Sequence, residues 1–367
     1  MKVISNDQVY PSIREYCRQT GAPKTTILRY FKKCENNNKE RTWRNNRYEV
    51  KEYIDSKVSA EDHNKEPIDP EYENYKKCRN LDFYHYEFDT DTKPGGDRYA
   101  IALFSDAHIE ETVEPESVLH LNEYNIEIAE HRIGCYFQNL SQCLKKDNVD
   151  SLILAGLGDF ISGFIHDELA QENSLTPPEA VVKMQSLIVS GLQLLVSGNP
   201  KVKIMFIGIC GNHSRTTKKV QHSNGYKMSY EWLMYQNVRS ICELIKLPVE
   251  FVIPKSEIAV IDTKDNKRYI FIHGFQIKSQ GTNTVSGIYP GLQRLAMKWD
   301  KTLKQNKVYL GHFHTCVSIP AATVNGSIIG LTAYGLSSGF SNEEPAQIYE
   351  VYDSKIGLLM TRKIYCK

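Results

Sequence analysis

The sequence predicts an α/β (α+β) chain of two packed sheets flanked by helices, with a small N-terminal helical domain in front. Three observations predict it. Apolar runs recur between residues 98 and 310, each ending in a short piece bearing Gly, Asp, Asn or His. Segments with helical apolar spacing lie between the earlier runs. After residue 314 the chain changes to short β-rich runs separated by turn signals.

Taken in order, Tyr99–Phe104 leads into Ser105-Asp106, Leu152–Ala155 into Gly158-Asp159, and Ile204–Ile209 into Gly211-Asn212-His213. Tyr269–Ile272 leads into His273-Gly274, and Val308–Leu310 into Gly311-His312. Continuous apolar runs of this kind are expected as strands buried on both faces. The residues just beyond them then sit at carboxyl ends, where open α/β sheets place their sites. Helical spacing over Asn122–Leu144 and Pro178–Leu195 supplies βαβ-type connections. Val317–Pro320, Thr323–Leu331, Ala346–Tyr352 and Ile356–Tyr365, divided by Asn-Gly, Ser-Gly and Asp-Ser, are expected to form the second sheet.

The pieces at the strand ends are Asp106-Ala107-His108, Gly158-Asp159, Gly211-Asn212-His213, His273-Gly274 and Gly311-His312-Phe313-His314. Any one His-Gly or Gly-Asp is most often a turn. Together they hold a full ligand set for two adjacent divalent cations, which can clamp the attacking and leaving oxygens of a phosphoester.

The ordered pattern D-x-H, G-D, G-N-H, H-G, G-H-x-H resembles the calcineurin-like metallophosphoesterases over roughly residues 98–365. The resemblance implies a two-sheet sandwich with Asp106, His108 and His314 on one metal, Asn212, His273 and His312 on the other, and Asp159 bridging both. It gives His213 a catalytic role, contacting the phosphate and helping the leaving oxygen depart. Imidazole with carboxylate suits Mn²⁺ first, with Fe, Zn, Ni or Mg as alternatives, so two divalent cations and no nucleotide cofactor are expected. One departure stands out. The family often continues G-N-H with Asp or Glu, whereas this chain has Ser214, which puts the tuning of His213 in question.

Residues 201–230 carry Lys201, Lys203, Arg215, Lys218, Lys219 and Lys227 and no acidic residue. Arg215, Lys218 and Lys219 follow His213 closely and are candidates to hold a phosphate backbone. An ordinary solvated loop is the other reading. His166, in His166-Asp167-Glu168, belongs either to a substrate-touching loop or to a helix start whose acids the dipole favours. Gly281–Gly287, rich in Thr and Ser, is expected as another loop beside the site.

Net charge is only +1, but it is unevenly spread. Residues 1–58 hold 13 Lys and Arg against 7 Asp and Glu, and residues 59–97 hold 5 against 11. Pro11–Thr20, Gly21-Ala22-Pro23 and Lys24–Lys33 form a helix, turn and helix in expectation, similar to small helix-turn-helix DNA-binding modules. That resemblance implies Lys24, Thr25, Thr26 and Arg29 facing nucleic acid; a helical bundle for protein contacts is the alternative. The expected organisation is a basic module over 1–58, an acidic and aromatic linker over 59–97, and a catalytic domain over 98–367.

At 41% hydrophobic and 24% charged residues, wholesale disorder is excluded. The opening Met1–Asp7 has no apolar h-region and no apolar run approaches a membrane span, so a cytoplasmic protein with no membrane contact is expected. Nine cysteines without C-x-x-C spacing fit reduced thiols there. The leading expectation is a metal-dependent nuclease acting on DNA, similar to the DNA-repair exonuclease branch and to phage-borne members. The alternatives are a phosphatase or phosphodiesterase for a phosphoprotein or small phosphoester, and a DNA-binding regulator using the fold as a scaffold.

Overall fold

In the computed structural model of the chain, the apolar runs are strands and the ligand-bearing pieces leave their carboxyl ends. Described are residues 98–165, 169–277, 285–340 and 342–367, with residues 17–18 and four short strands before residue 54. The chain divides into two units, Met1–Tyr75 and Lys76–Lys367.

The first unit is not purely helical, which corrects the expectation for the N-terminus. Strands β1 (Lys2–Ser5), β2 (Gln8–Tyr10), β3 (Glu40–Arg44) and β4 (Glu49–Tyr53) form an antiparallel sheet in the order β2-β1-β4-β3. Thr42, Trp43, Val50 and Tyr53 are β-favouring residues, and their strand propensity outweighs the basic character that suggested a helical module. Residues 17–18 are helical. The remainder of the expected helix-turn-helix, with Lys24, Thr25, Thr26 and Arg29, lies outside the described residues, as does His166.

In the second unit β5 (Arg98–Phe104) is followed by α1 (Ile126–Asp147), β6 (Ser151–Gly156), the single turn α2 (Leu169–Glu172), α3 (Pro177–Gly198) and β7 (Lys203–Gly208). Asn125 caps α1 by accepting from the Ile128 N–H at 2.9 Å. Glu179 closes the start of α3 by accepting from the Thr176 N–H at 2.8 Å. Helix α4 (Tyr230–Leu244) and strands β8 (Val249–Val252), β9 (Ile258–Asp262) and β10 (Arg268–Ile272) come next. Then come α5 (Val285–Leu303), β11 (Lys307–Leu310), β12 (Val317–Ile319), β13 (Ala322–Val324), the short α6 (Ala333–Ser337), β14 (Ala346–Asp353) and β15 (Gly357–Tyr365).

A six-stranded sheet runs β15-β14-β5-β6-β7-β8, parallel from β5 to β8 with β14 and β15 antiparallel at one edge. A five-stranded sheet runs β12-β13-β11-β10-β9. They pack face to face, because strand alternation sends Tyr99, Ile101 and Leu103 of β5 into one cluster with Tyr269, Phe271 and Tyr309 of β10 and β11. The alternate residues Ala100, Ala102 and Phe104 pack against helical residues such as Phe137 of α1 and Ile188 of α3. Ile288 and Leu292 of α5 cover the outer face of the five-stranded sheet. The result is helix, sheet, sheet, helix.

Three further expectations need correction. β14 and β15 join the first sheet, not the second, because Tyr349 and Val351 face the helices while Ile348 and Tyr352 face the other sheet. Residues 285–287 begin α5, so Gly281–Gly287 is not simply a loop. Helix α3 is long and apolar enough to cross a membrane by length and composition, contrary to the reading of the sequence, yet half of that stretch is buried inside the fold. Ala180, Met184, Ile188 and Leu192 line the core, so the helix is apolar because it is internal.

Glu350 pins the two sheets together. Its carboxylate on β14 accepts from Lys307 Nζ at 2.7 and 3.0 Å, Tyr309 OH at 2.9 Å, Tyr352 OH at 2.7 Å and Thr323 Oγ1 at 2.8 Å. Burial opposes its charge, but the Lys307 ammonium outweighs this and holds Glu350 below the usual carboxylate range.

Candidate metal centre

Strand ends from both sheets supply the site. β5, β6 and β7 of the six-stranded sheet lead to Asp106 and His108, to Asp159, and to Asn212 and His213. β10 and β11 of the other lead to His273, and to His312 and His314. The chain must turn sharply at each end, and Asp106, His108, Asp159, His312 and His314 all have φ between 46° and 73°. Such left-handed backbone costs about 1–3 kcal/mol per non-glycine residue and clusters at functional sites. Glycine permits the loops to touch: a Cβ on Gly211 would collide with the Asp159 carboxylate, and one on Gly311 with Asp106 Oδ2.

Asp106, His108 and His314 offer ligand atoms that lie within 4.8 Å of one another, and so do Asp159, His273 and His312. His314 Nε2 is 3.5 Å from Asp106 Oδ1, and His273 Nε2 is 2.8 Å from Asp159 Oδ2. His312 Nδ1 is 3.2 Å from His273 Nε2. Asn212 Oδ1 is buried and accepts no hydrogen bond. A buried amide oxygen without a donor calls for a partner, and a cation is one that a site of imidazoles and carboxylates suits. These groups could therefore hold divalent metal ions.

The electrostatics agree. Burial pushes His108 well below its ordinary value, and burial with the nearby His273 takes His312 down to about 3, so both rings are neutral, the form that can coordinate a cation. Burial opposes the charge of Asp159, but His273 and His213 outweigh it and hold the carboxyl well below its usual range. Burial likewise works against a charged His273, yet Asp159 lifts it to about 9.

The supporting hydrogen bonds orient these side chains. His273 Nδ1 donates to the Leu157 carbonyl at 2.6 Å, leaving Nε2 for a proton or a cation. His108 Nδ1 meets Ser162 Oγ at 3.0 Å, and Ser162 Oγ donates to Glu111 Oε2 at 3.0 Å. Ser105 Oγ donates to Asp106 Oδ2 at 2.5 Å and accepts from Asn325 Nδ2 at 2.9 Å. Sequence reasoning missed Ser162, Glu111 and Asn325. Ser162 alone carried a signal, three positions beyond Asp159.

His213 also falls into a possible metal group, with His108 and Asp159, so proximity by itself does not set it apart from the ligands. Its backbone N–H donates to Asp159 Oδ1 at 2.8 Å and its Nδ1 lies 3.1 Å from the Ser162 carbonyl. Arg215 is half-buried, with its guanidinium donating to the carbonyls of Asn212 and Thr217. It borders a groove beside Asn212 that Tyr226, Lys255 and Phe275 also line. Lys218 and Lys219 are exposed.

No family model matches the chain, and no curated protein matches it. Among solved structures, it is similar to a protein of unknown function from Aquifex aeolicus at 17% identity and a TM-score of 0.27, over 61% of this chain and 83% of that one. It is also similar to a candidate 5′-nucleotidase from Staphylococcus aureus at 12% identity and a TM-score of 0.28, over 72% of this chain and 53% of that one. A third is GAP50, the anchor in the inner membrane complex of Plasmodium, at 11% identity and a TM-score of 0.30, over 74% and 90%. Likenesses this distant carry no weight for the chemistry, which rests on the side chains themselves.

Proposed function

We propose that the chain is a two-metal phosphoesterase whose substrate is the phosphodiester backbone of DNA. The observation that carries the chemistry is two clustered ligand sets, Asp106, His108 and His314 and Asp159, His273 and His312, together with a buried amide oxygen, Asn212 Oδ1, that has no hydrogen-bond partner. Asp159 would serve both cations, Mn²⁺ first, and Asn212 would join His273 and His312 in holding the second. When bound, the cations acidify water and offset the charge that gathers on the phosphoester oxygens. His213 then assists the leaving oxygen, its ring oriented by Ser162. Arg215, braced on two carbonyls, reaches a neighbouring phosphate. What favours DNA is charge placement: Arg215, Lys218 and Lys219 follow His213 closely, and residues 1–58 carry 13 Lys and Arg against 7 Asp and Glu.

The test is incubation of metal-stripped protein with labelled single- and double-stranded DNA, RNA, a phosphopeptide and bis-p-nitrophenyl phosphate in Mn²⁺, with and without EDTA. DNA cleavage that EDTA abolishes is the expected result. Turnover of only the phosphopeptide or the small ester would remove the nuclease reading, and no turnover would remove the phosphoesterase. Lys24→Ala with Arg29→Ala should weaken DNA binding and flatten its salt dependence, by up to about two in the log–log slope if each side chain neutralises one phosphate.

A further inference from the structure

Glu231 sits in the first turn of α4 and is wholly buried. Its Oε1 accepts from the Phe160 N–H at 2.6 Å and its Oε2 from the Gly211 N–H at 2.7 Å. These amides belong to different strand-end loops. Phe160 follows Asp159, and Gly211 precedes Asn212.

The loops are tied into the site very unequally. Residues 106–109 reach the Asp159 loop through three backbone bonds: Asp106 N–H to Gly158 O, His108 N–H to Asp159 O and Ile109 N–H to Phe160 O. Among the described residues no backbone bond joins residues 158–160 to residues 211–213. The pairing of β6 with β7 closes with the Ile209 N–H on Gly156 O. Beyond that point His213 bonds to Asp159 Oδ1 and Ser162 O, and the Glu231 carboxylate spans the gap. Gly158 and Gly211 are in direct contact, since a Cβ on Gly158 would strike the Gly211 backbone.

The first turn of α4 is itself held in place. Ser229 Oγ bonds Ser214 Oγ at 2.8 Å and the Tyr230 N–H donates to Ser214 O at 2.9 Å. Burying a carboxylate is expensive, and no Lys or Arg among the described residues pairs with this one. The helix N-terminus and two amides offset part of that cost. A fold that needed only packing here would be served by an apolar side chain.

We infer that Glu231 is a positioning residue that fixes Asn212 against Asp159 and so sets the affinity of the cation position formed by Asp159, Asn212, His273 and His312. The inference rests on the two-metal reading above. The other position, built on Asp106, His108 and His314, draws its support from the three backbone bonds and from Ser162, so it should be spared.

Metal-stripped full-length protein is titrated with Mn²⁺ by calorimetry, and ions per chain are counted by native mass spectrometry. Wild type should bind two ions. Glu231→Gln offers an NH₂ to one of the two amides, so one N–H loses its acceptor. It should bind one ion at wild-type affinity and the second about 10- to 100-fold more weakly, as for loss of a group that orients a metal ligand. Ser162→Ala should show the reverse selectivity, weakening the position that includes His108. Equal weakening of both positions in a folded Glu231→Gln, or no weakening, would overturn the inference while leaving the two-metal reading intact. If Glu231→Gln does not fold, Glu231→Asp, too short to span both amides, carries the same comparison with the same outcomes. A wild type that binds no Mn²⁺ overturns the two-metal reading and the inference with it.

Discussion

Metal binding at this site should expel protons, and the amount follows from His273. Its Nδ1–H is committed to the Leu157 carbonyl, so Nε2, 2.8 Å from Asp159 Oδ2, takes either a second proton or a cation. Burial disfavours the charged ring, but Asp159 carries it to about 9. At pH 7 the proton is therefore favoured about 100-fold over the lone pair that coordination needs, and at pH 8 about 10-fold. Mn²⁺ affinity at the Asp159–His273–His312 position should rise about tenfold per pH unit from pH 6.5 to 8.5, roughly 1.4 kcal/mol per unit. About one proton should therefore leave at pH 7. In metal-free protein the sign is opposite. A histidine raised above its ordinary 6.5 contributes stability that is fully present below that pH and is lost as pH rises through about 9. Calorimetric titration of Mn²⁺ in Hepes and in Tris at matched pH reads the proton count from the difference in heats. Identical heats in the two buffers, with affinity independent of pH, would mean that no proton on His273 competes with the cation.

Two further outcomes follow from named contacts. His213→Ala should keep both metals, since the groups Asp106–His108–His314 and Asp159–His273–His312 each stay complete without it, yet lose about 10²–10⁴-fold in turnover. Full activity in that variant would show that the leaving group needs no help from this ring. Lys307→Met strips the buried Glu350 of its cation and should cost about 3 kcal/mol in urea unfolding, near the low end for a broken buried pair because the hydroxyls of Tyr309, Tyr352 and Thr323 remain. A loss under about 1 kcal/mol would mean that the hydroxyls alone carry the charge.

The strand ends were legible because each joins two strong local signals, an apolar run and, just beyond it, residue types able to ligate a metal. Helices α1 and α3 were legible from their spacing, to within a few residues at each end. Helix α5 was not. Gly287, Pro290 and Gly291 weaken it locally, and it forms because Ile288 and Leu292 are buried on the five-stranded sheet. The sheet that β14 would join was equally hidden, since its pairing with β5 spans most of the second unit and short apolar runs do not name their partners. The N-terminal strands were obscured by a basic composition that suits a helix-turn-helix just as well. Glu231 left no trace at all in the sequence. A single acid at the start of a helix is ordinary, and its role is visible only once α4 brings it to the amides of Phe160 and Gly211.

In the proposed centre two cations share Asp159. Anomalous diffraction from crystals soaked in Mn²⁺ tests it most directly. Two peaks about 3.5–4 Å apart are expected, one beside Asp106, His108 and His314 and the other beside Asn212, His273 and His312, with the Asp159 carboxylate between them. No peak at these residues, or a single ion without Asp159 among its ligands, would contradict it.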